Sequence, residues 1–259
     1  MNNFIICNAS CLRSHTKEQL QEIDGSKSDC IVTKTCTLSG SIEEPGGYYY
    51  DGLGAVNNIG MVGPSFEYYE SLKFNKPYII SIAGSLENVN TMLSSDYLNS
   101  SIYAYEINIS CPNISNQAHQ YINIDDIPKL NCFHLSDSSS FGVKLPPVSN
   151  ELDVKLYSSY IRENEYVSYV VCCNTGHRGC FNLDGKLVEG ALSGKYLKPI
   201  ALWNVKMFKK YLPERIRVFG CGGISAPQDV ADFKLAGADG VQVGTAFMEE
   251  GPDIFSKLR

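Results

Sequence analysis

Eight short runs rich in β-branched and aromatic residues recur along the 259-residue chain, at 4–9, 30–35, 78–82, 102–109, 141–145, 166–173, 216–220 and 240–243. Each is mostly apolar without strict alternation, the pattern of a strand buried on both faces. Polar or amphipathic stretches separate them, so the chain reads as alternating parallel strands and helices. Residues 85–98 predict a helix, with Ser85 as its cap and Leu86, Val89, Met92 and Leu93 on one face. Residues 65–74 carry Phe66, Tyr69 and Leu72 at helical spacing, and Pro199 suits a first helical position ahead of Trp203, Met207 and Phe208. Eight such units without an evident linker predict an α/β protein, a closed (β/α)8 TIM barrel forming one domain over residues 1–259, rather than an open doubly wound sheet.

Composition narrows the class. Hydrophobic residues make up 44% and charged residues 19%, which supports a folded core throughout. A formal charge of −6 without any Lys/Arg-rich run argues against a nucleic-acid surface. No apolar run reaches the roughly 18 residues of a membrane span, and Met1 to Cys7 is too short and uncharged for a signal peptide. The expectation is a soluble, cytoplasmic protein. The ten cysteines are scattered through apolar runs and form no CxxC pair, which favours reduced thiols over disulfides. His15, His119, His134 and His177 are not spaced as a ligand set, so no metal site is expected.

In barrels of this kind the chemistry sits at the C-terminal ends of the strands. The polar and glycine-rich clusters fall there: Asn8-Ala9-Ser10, Lys34-Thr35, Asn108 to Asn113, Lys144, Asn174-Thr175, Cys221-Gly222-Gly223 and Gly244-Thr245. Glycines after the seventh and eighth runs suit a phosphate, because they let backbone N–H groups approach an anion, although two ordinary tight turns share the pattern. Lys34 and Lys144 each end an apolar run, a costly place for charge unless an anionic or electron-rich group faces it; a structural ion pair is the alternative. Asn108-Ile109-Ser110-Cys111-Pro112-Asn113 sets two amides around one thiol. The amides can donate to and accept from a ring bearing carbonyls and N–H groups, and an accessible thiolate can take a proton. Asn57 and Asn174-Thr175 could equally be turn chemistry.

These residues carry a resemblance. Together with Thr33 to Leu38, Asn57-Asn58-Ile59-Gly60-Met61, Ser81-Ile82-Ala83-Gly84, Gly142 to Pro147 and Lys198-Pro199, they fall in the order and near the spacing of the soluble class 1 dihydroorotate dehydrogenases, which the chain resembles along almost its whole length. The resemblance implies FMN, with Gly222, Gly223, Gly244 and Thr245 at its phosphate, Gly194 close by, and Ala9, Ser10, Lys34, Asn108 and Lys144 around its ring. It implies a dihydroorotate pocket made by Lys34, Asn57, Ile59, Gly60, Met61, Asn108, Asn113, Asn174 and Thr175. Cys111 occupies the family's base position, where it would remove the C5 proton while a hydride leaves C6 for the flavin.

Cysteine rather than serine there points to the soluble class, and Thr33 to Leu38 with Lys198 to Val205 look most like its fumarate-using homodimers, so fumarate is the implied acceptor. The chain departs from the family in four places. Both ends are trimmed; Met61-Val62-Gly63 replaces a Leu-Pro-Asn stretch; Cys11 stands where glycine is usual; and residues 114–119, after the thiol, differ from the family's loop. A non-catalytic flavin-binding descendant, and a related flavin barrel acting on another pyrimidine, are the alternative readings.

Overall fold

The computed structural model describes residues 4–41, 46–95, 102–110, 121–131 and 140–259. Twelve strands occur among these residues in chain order: β1 (Ile5–Asn8), β2 (Ile31–Val32), β3 (Tyr48–Tyr50), β4 (Ala55–Asn57), β5 (Tyr78–Ile82), β6 (Ile102–Asn108), β7 (Phe141–Leu145), β8 (Val167–Cys172), β9 (Gly176–Leu183), β10 (Lys186–Leu192), β11 (Arg217–Cys221) and β12 (Gly240–Val243). Eight α-helices accompany them among the described residues: α1 (Lys17–Gly25), α2 (Phe66–Glu70), α3 (Leu86–Leu93), α4 (Glu151–Glu163), α5 (Lys198–Tyr211), α6 (Pro227–Leu235), α7 (Thr245–Glu250) and α8 (Ile254–Lys257).

The eight runs read from the sequence are the eight strands of one parallel sheet, ordered β1-β12-β11-β8-β7-β6-β5-β2, which curls into a nearly closed barrel. The seam between β1 and β2 is completed by a side chain. Asn8 Nδ2 donates to the Val32 carbonyl (2.6 Å) and Asn8 Oδ1 accepts from the Val32 N–H (2.9 Å), replacing the peptide partner a ladder would supply.

Two-residue periodicity divides the strands between two cores. On β8, Tyr169 and Val171 join Cys7, Cys30, Val32 and Phe219 inside the barrel, whereas Val170 and Cys172 face the surrounding helices. Glycine makes the inner packing possible. A Cβ on Gly142 would stand 2.0 Å from Tyr169 Cζ, so the tyrosine ring fills the space a β7 side chain would take. Outside, α5 buries Ala201, Val205 and Phe208 along one stripe. Truncating Phe208 to alanine there would cost about 3–5 kcal/mol.

The helices are shorter than their periodicity suggested. Ser85 does cap α3, its Oγ accepting from the Asn88 N–H (3.2 Å), but the helix ends at Leu93 rather than 98; residues 96–98 lie outside the described residues. Ser65 likewise caps α2, which stops at Glu70. Pro199 is the second residue of α5, after Lys198. The alternation of strand and helix is also interrupted by a feature the strand count did not include, a four-stranded antiparallel sheet ordered β3-β4-β10-β9. Its β9–β10 hairpin turns at Asp184 (φ 50°) and Gly185 (φ 84°), the left-handed pair that matches hairpin twist.

Candidate active site at the barrel mouth

Above the C-terminal ends of the barrel strands lies a cavity of about 390 Å³, walled on one side by the four-stranded sheet. That volume is in the range of small-molecule and cofactor sites.

Its floor is a hydrogen-bonded chain crossing several strands. Ser10 Oγ, just past β1, accepts from the Thr35 N–H (2.7 Å) and bonds Thr35 Oγ1 (2.9 Å), which also meets Ser81 Oγ of β5 (2.9 Å). Asn108 Nδ2, ending β6, donates to Thr35 Oγ1 (3.3 Å). Asn108 Oδ1 accepts from Asn174 Nδ2, beyond β8 (3.0 Å), and Asn174 Nδ2 also donates to the Ser110 carbonyl (2.5 Å). Each member is fixed by the next, so the amides are oriented in advance of any ligand. From the sheet side, Asn57 on β4 donates through Nδ2 to the Ala191 carbonyl (3.2 Å).

Two lysines are sunk in this floor. Lys34 follows β2 and is buried; its charge, after burial, helps hold the His15 imidazole below its ordinary range. Lys144, on β7, is only 3% exposed and has no carboxylate within ion-pairing distance among the described residues. Burial works against its charge, yet the net direction is upward, because Cys221, Glu106, Cys11 and Cys173 lie around it. Lys144 therefore offers a cation to whatever enters the cavity. Burial pushes the nearby thiols Cys11, Cys173 and Cys221 up, with the Lys144 charge pulling back against it.

The other end is built from main chain. Gly194, Gly222 and Gly223 have φ of 70°, 141° and 69°. A Cβ on Gly223 would come 2.6 Å from Lys198 Cβ and 2.9 Å from the Gly194 carbonyl, and one on Gly194 would come 2.5 Å from Gly54 Cα. Only glycine allows these loops to meet. Gly244 and Thr245 complete the cradle, with Thr245 Oγ1 donating to Ser193 Oγ (3.0 Å). Asp229 braces it from behind. The carboxylate accepts from Lys195 Nζ (3.0 Å), Lys198 Nζ (2.6 Å) and the Ser225 and Ala226 N–H groups (2.8 and 2.9 Å).

Every candidate residue from the sequence that the structure describes lines this one cavity: Ala9, Ser10, Lys34, Asn57, Ile59, Gly60, Met61, Asn108, Lys144, Asn174, Thr175, Gly194, Gly222, Gly223, Gly244 and Thr245. Cys111 and Asn113 lie outside the described residues. Sequence reasoning missed the wall from the small sheet, Tyr48, Tyr50 and Leu53, although Asp51-Gly52 between short β-rich runs is a hairpin signal. It also missed Ser193 in the cradle and Lys195, Glu249 and Lys257 at the rim, for which no local pattern exists. Among the described residues no helix is long and apolar enough to cross a membrane, and no group of three His, Cys, Asp or Glu side chains is placed to hold a metal.

The geometry fits a ligand with a phosphate at one end and a planar polar ring at the other. The glycine cradle admits an anion against main chain, and the opposite end supplies a cation and orienting amides. Comparison with known proteins agrees. The family model for dihydroorotate dehydrogenase matches residues 1–259. A dihydroorotate dehydrogenase (fumarate) of Trypanosoma cruzi is 32% identical over 272 residues, covering 97% of this chain and 86% of that protein. A putative dihydroorotate dehydrogenase A (fumarate) of Streptococcus pyogenes serotype M1 is 31% identical, covering 98% and 86%. In fold, the chain is similar to the crystal structure of DHODH from Eimeria tenella in complex with ferulenol, with a TM-score of 0.74 at 14% identity over 98% of this chain and 78% of that one.

Proposed function

The chain belongs to the dihydroorotate dehydrogenase family, and we propose that it oxidises dihydroorotate to orotate for pyrimidine synthesis, with FMN as its flavin and fumarate as its electron acceptor. The observation that carries this reading is the convergence, in one cavity, of Lys34, Asn57, Asn108, Lys144 and Asn174 from different strands opposite a cradle that only glycine can form.

Residues Gly194, Gly222, Gly223, Gly244 and Thr245 hold the phosphate of FMN, and Ala9, Ser10, Asn108 and Lys144 face its ring. Bound there, the flavin supplies the two-electron chemistry by accepting a hydride. Asn57, Asn108, Asn113, Asn174 and Thr175 orient the substrate ring against it, beside Ile59, Gly60 and Met61. Lys34 faces the substrate carboxylate, and Lys144 offers positive charge where negative charge accumulates. Cys111 follows Ser110, whose carbonyl is held by Asn174, and it takes the proton from C5 of the substrate. The protein works as a cytoplasmic homodimer over its single domain.

The test is anaerobic addition of dihydroorotate to the purified, yellow protein. Bleaching of the flavin spectrum, with colour restored by fumarate, is the expected result. A colourless protein, or a flavin that dihydroorotate leaves oxidised, contradicts the proposal.

A further inference from the structure

Directly beneath the cavity floor the barrel holds a carboxyl group that the proposed chemistry does not use. We infer that Glu106 is a positioning residue for the flavin site, the counter-charge of Lys144, and that it takes up a proton when the bound flavin is reduced. This inference rests on the reading above, in which Lys144 faces the flavin.

The strand register places the group. Asn108 and Glu106 are two residues apart on β6 and face the barrel interior, Asn108 at the floor and Glu106 one layer lower. Lys144 is the register partner of Asn108 on β7, so its stem rises from the layer above Glu106. The register partner of Glu106 itself is Gly142, which leaves room for the Tyr169 ring to lie beside the carboxyl. On the far side, Gln242 Nε2 donates to Glu106 Oε2 (2.5 Å). Gln242 is on β12, four places from β6 in the eight-strand order, so this bond spans the barrel.

Glu106 is fully buried; its second oxygen, Oε1, makes no hydrogen bond of ordinary length, the Tyr169 hydroxyl interacting with the carboxyl only loosely, and Gln242 Oε1 has no partner among the described residues. A permanently ionised carboxylate with one oxygen so loosely held is costly in a closed barrel, and a permanently neutral one would leave the Lys144 charge uncompensated. The arrangement suits a group that changes state. The titratable groups facing it are Lys144 on β7, Tyr169 on β8, Cys221 on β11 and Cys7 on β1, with Cys30, ahead of β2, beside Cys7 and Tyr169. Ser81 on β5 and Gln242 on β12 are neutral. Burial drives the Glu106 carboxyl above its ordinary range, with Lys144, Gln242 and Tyr169 pulling back only in part.

Dihydroorotate loses its C5 proton to the base and its C6 hydride, two electrons with one proton, to the flavin. That hydride adds one negative charge beside Lys144. The Glu106 carboxylate then takes one proton from solvent and becomes the acid, so the net charge around Lys144 is restored. When the acceptor removes the hydride, the proton returns to solvent.

The experiment is a redox titration of the flavin-loaded holoenzyme from mildly acidic to mildly alkaline pH, beside Glu106→Gln. The parent protein is expected to take up more protons per two electrons than the variant over part of that range. At its alkaline end, the potential of Glu106→Gln should lie above the parent's, because an amide replaces a negative charge. Identical pH slopes in the two proteins overturn the inference while leaving the dehydrogenase reading intact. Absence of flavin, or of bleaching by dihydroorotate, overturns both. Should Glu106→Gln not fold, reduced-minus-oxidised infrared spectra of the parent labelled with ¹³C-glutamate decide the matter. A protonated carboxyl band must appear on reduction and shift with the label, and a spectrum without it overturns the inference.

Discussion

The two ends of the cavity are built from different parts of the chain. At the end proposed for the phosphate three loops touch through glycine backbone, Gly54 against Gly194 and Gly194 against Gly223, so specificity comes from what is missing. At the end proposed for the substrate, polar side chains are carried on rigid strands and locked by the chain from Ser10 through Thr35 and Asn108 to Asn174. The first kind of site fails sterically and completely, because an added atom must displace main chain. The second fails by degrees, one interaction at a time, with its neighbours still in place. Damage at one end should therefore remove the flavin, and damage at the other should leave it bound but slow.

The largest effect is expected from Gly223→Val. Its left-handed φ of 69° and the 2.6 Å approach of a Cβ to Lys198 Cβ exclude a branched side chain. The purified variant should lack the flavin absorbance altogether, and a yellow Gly223→Val protein breaks the comparison at its first term. Next comes Cys111→Ala. Flavin occupancy should match the parent, while stopped-flow reduction by dihydroorotate slows about 10²–10⁴-fold, the usual contribution of a general base. A parent rate would place the base elsewhere. Lys34→Ala should again retain flavin and slow reduction on the order of a hundredfold, the effect of one electrostatic contact in a water-poor site. Loss of flavin from Lys34→Ala would mean that the two ends are not separable.

The same division explains what could be read from sequence. The barrel was legible because a strand buried on both faces leaves a dense apolar run, and all eight runs became its strands. The small sheet was not, because β3 and β4 have only three residues each, and β10, though seven residues long, is exposed at consecutive positions and leaves no apolar run or alternation for periodicity to register. Its Asp-Gly turns were the available signal. Lys34, Lys144 and the glycines were legible because each is anomalous where it stands. Glu106 and Gln242 are equally anomalous, polar residues inside two-face-buried strands, but their meaning depends on facing each other across the barrel, which no local window contains. The helix ends were overextended because apolar spacing continues past the point where Ser94 and Ser71 cap the chain.

The smallest effect concerns stability and sharpens the comparison from behind the phosphate end. Asp229 is 3% exposed and receives two lysines and two backbone N–H groups. Burial alone would raise its carboxyl, but Lys198, the Ser225 N–H and Lys195 outweigh it and bring the value to about 2. A carboxyl depressed in the folded state contributes stability that is present above its unfolded value, roughly 3.9, and is lost as pH falls through the folded one. Asp229→Asn should therefore lower the unfolding free energy on the order of 1–2 kcal/mol near neutrality, discounted for the partly exposed lysines. The gap between variant and parent should narrow as pH falls below about 4 and close near the folded value. Denaturant unfolding across that range measures it, and a gap of constant size would show that the ion pairs contribute nothing beyond shape. Because Lys34, Lys144 and the amides lie at the opposite end, folded and flavin-saturated Asp229→Asn should be reduced by dihydroorotate at close to the parent rate, even where more flavin is needed to saturate it.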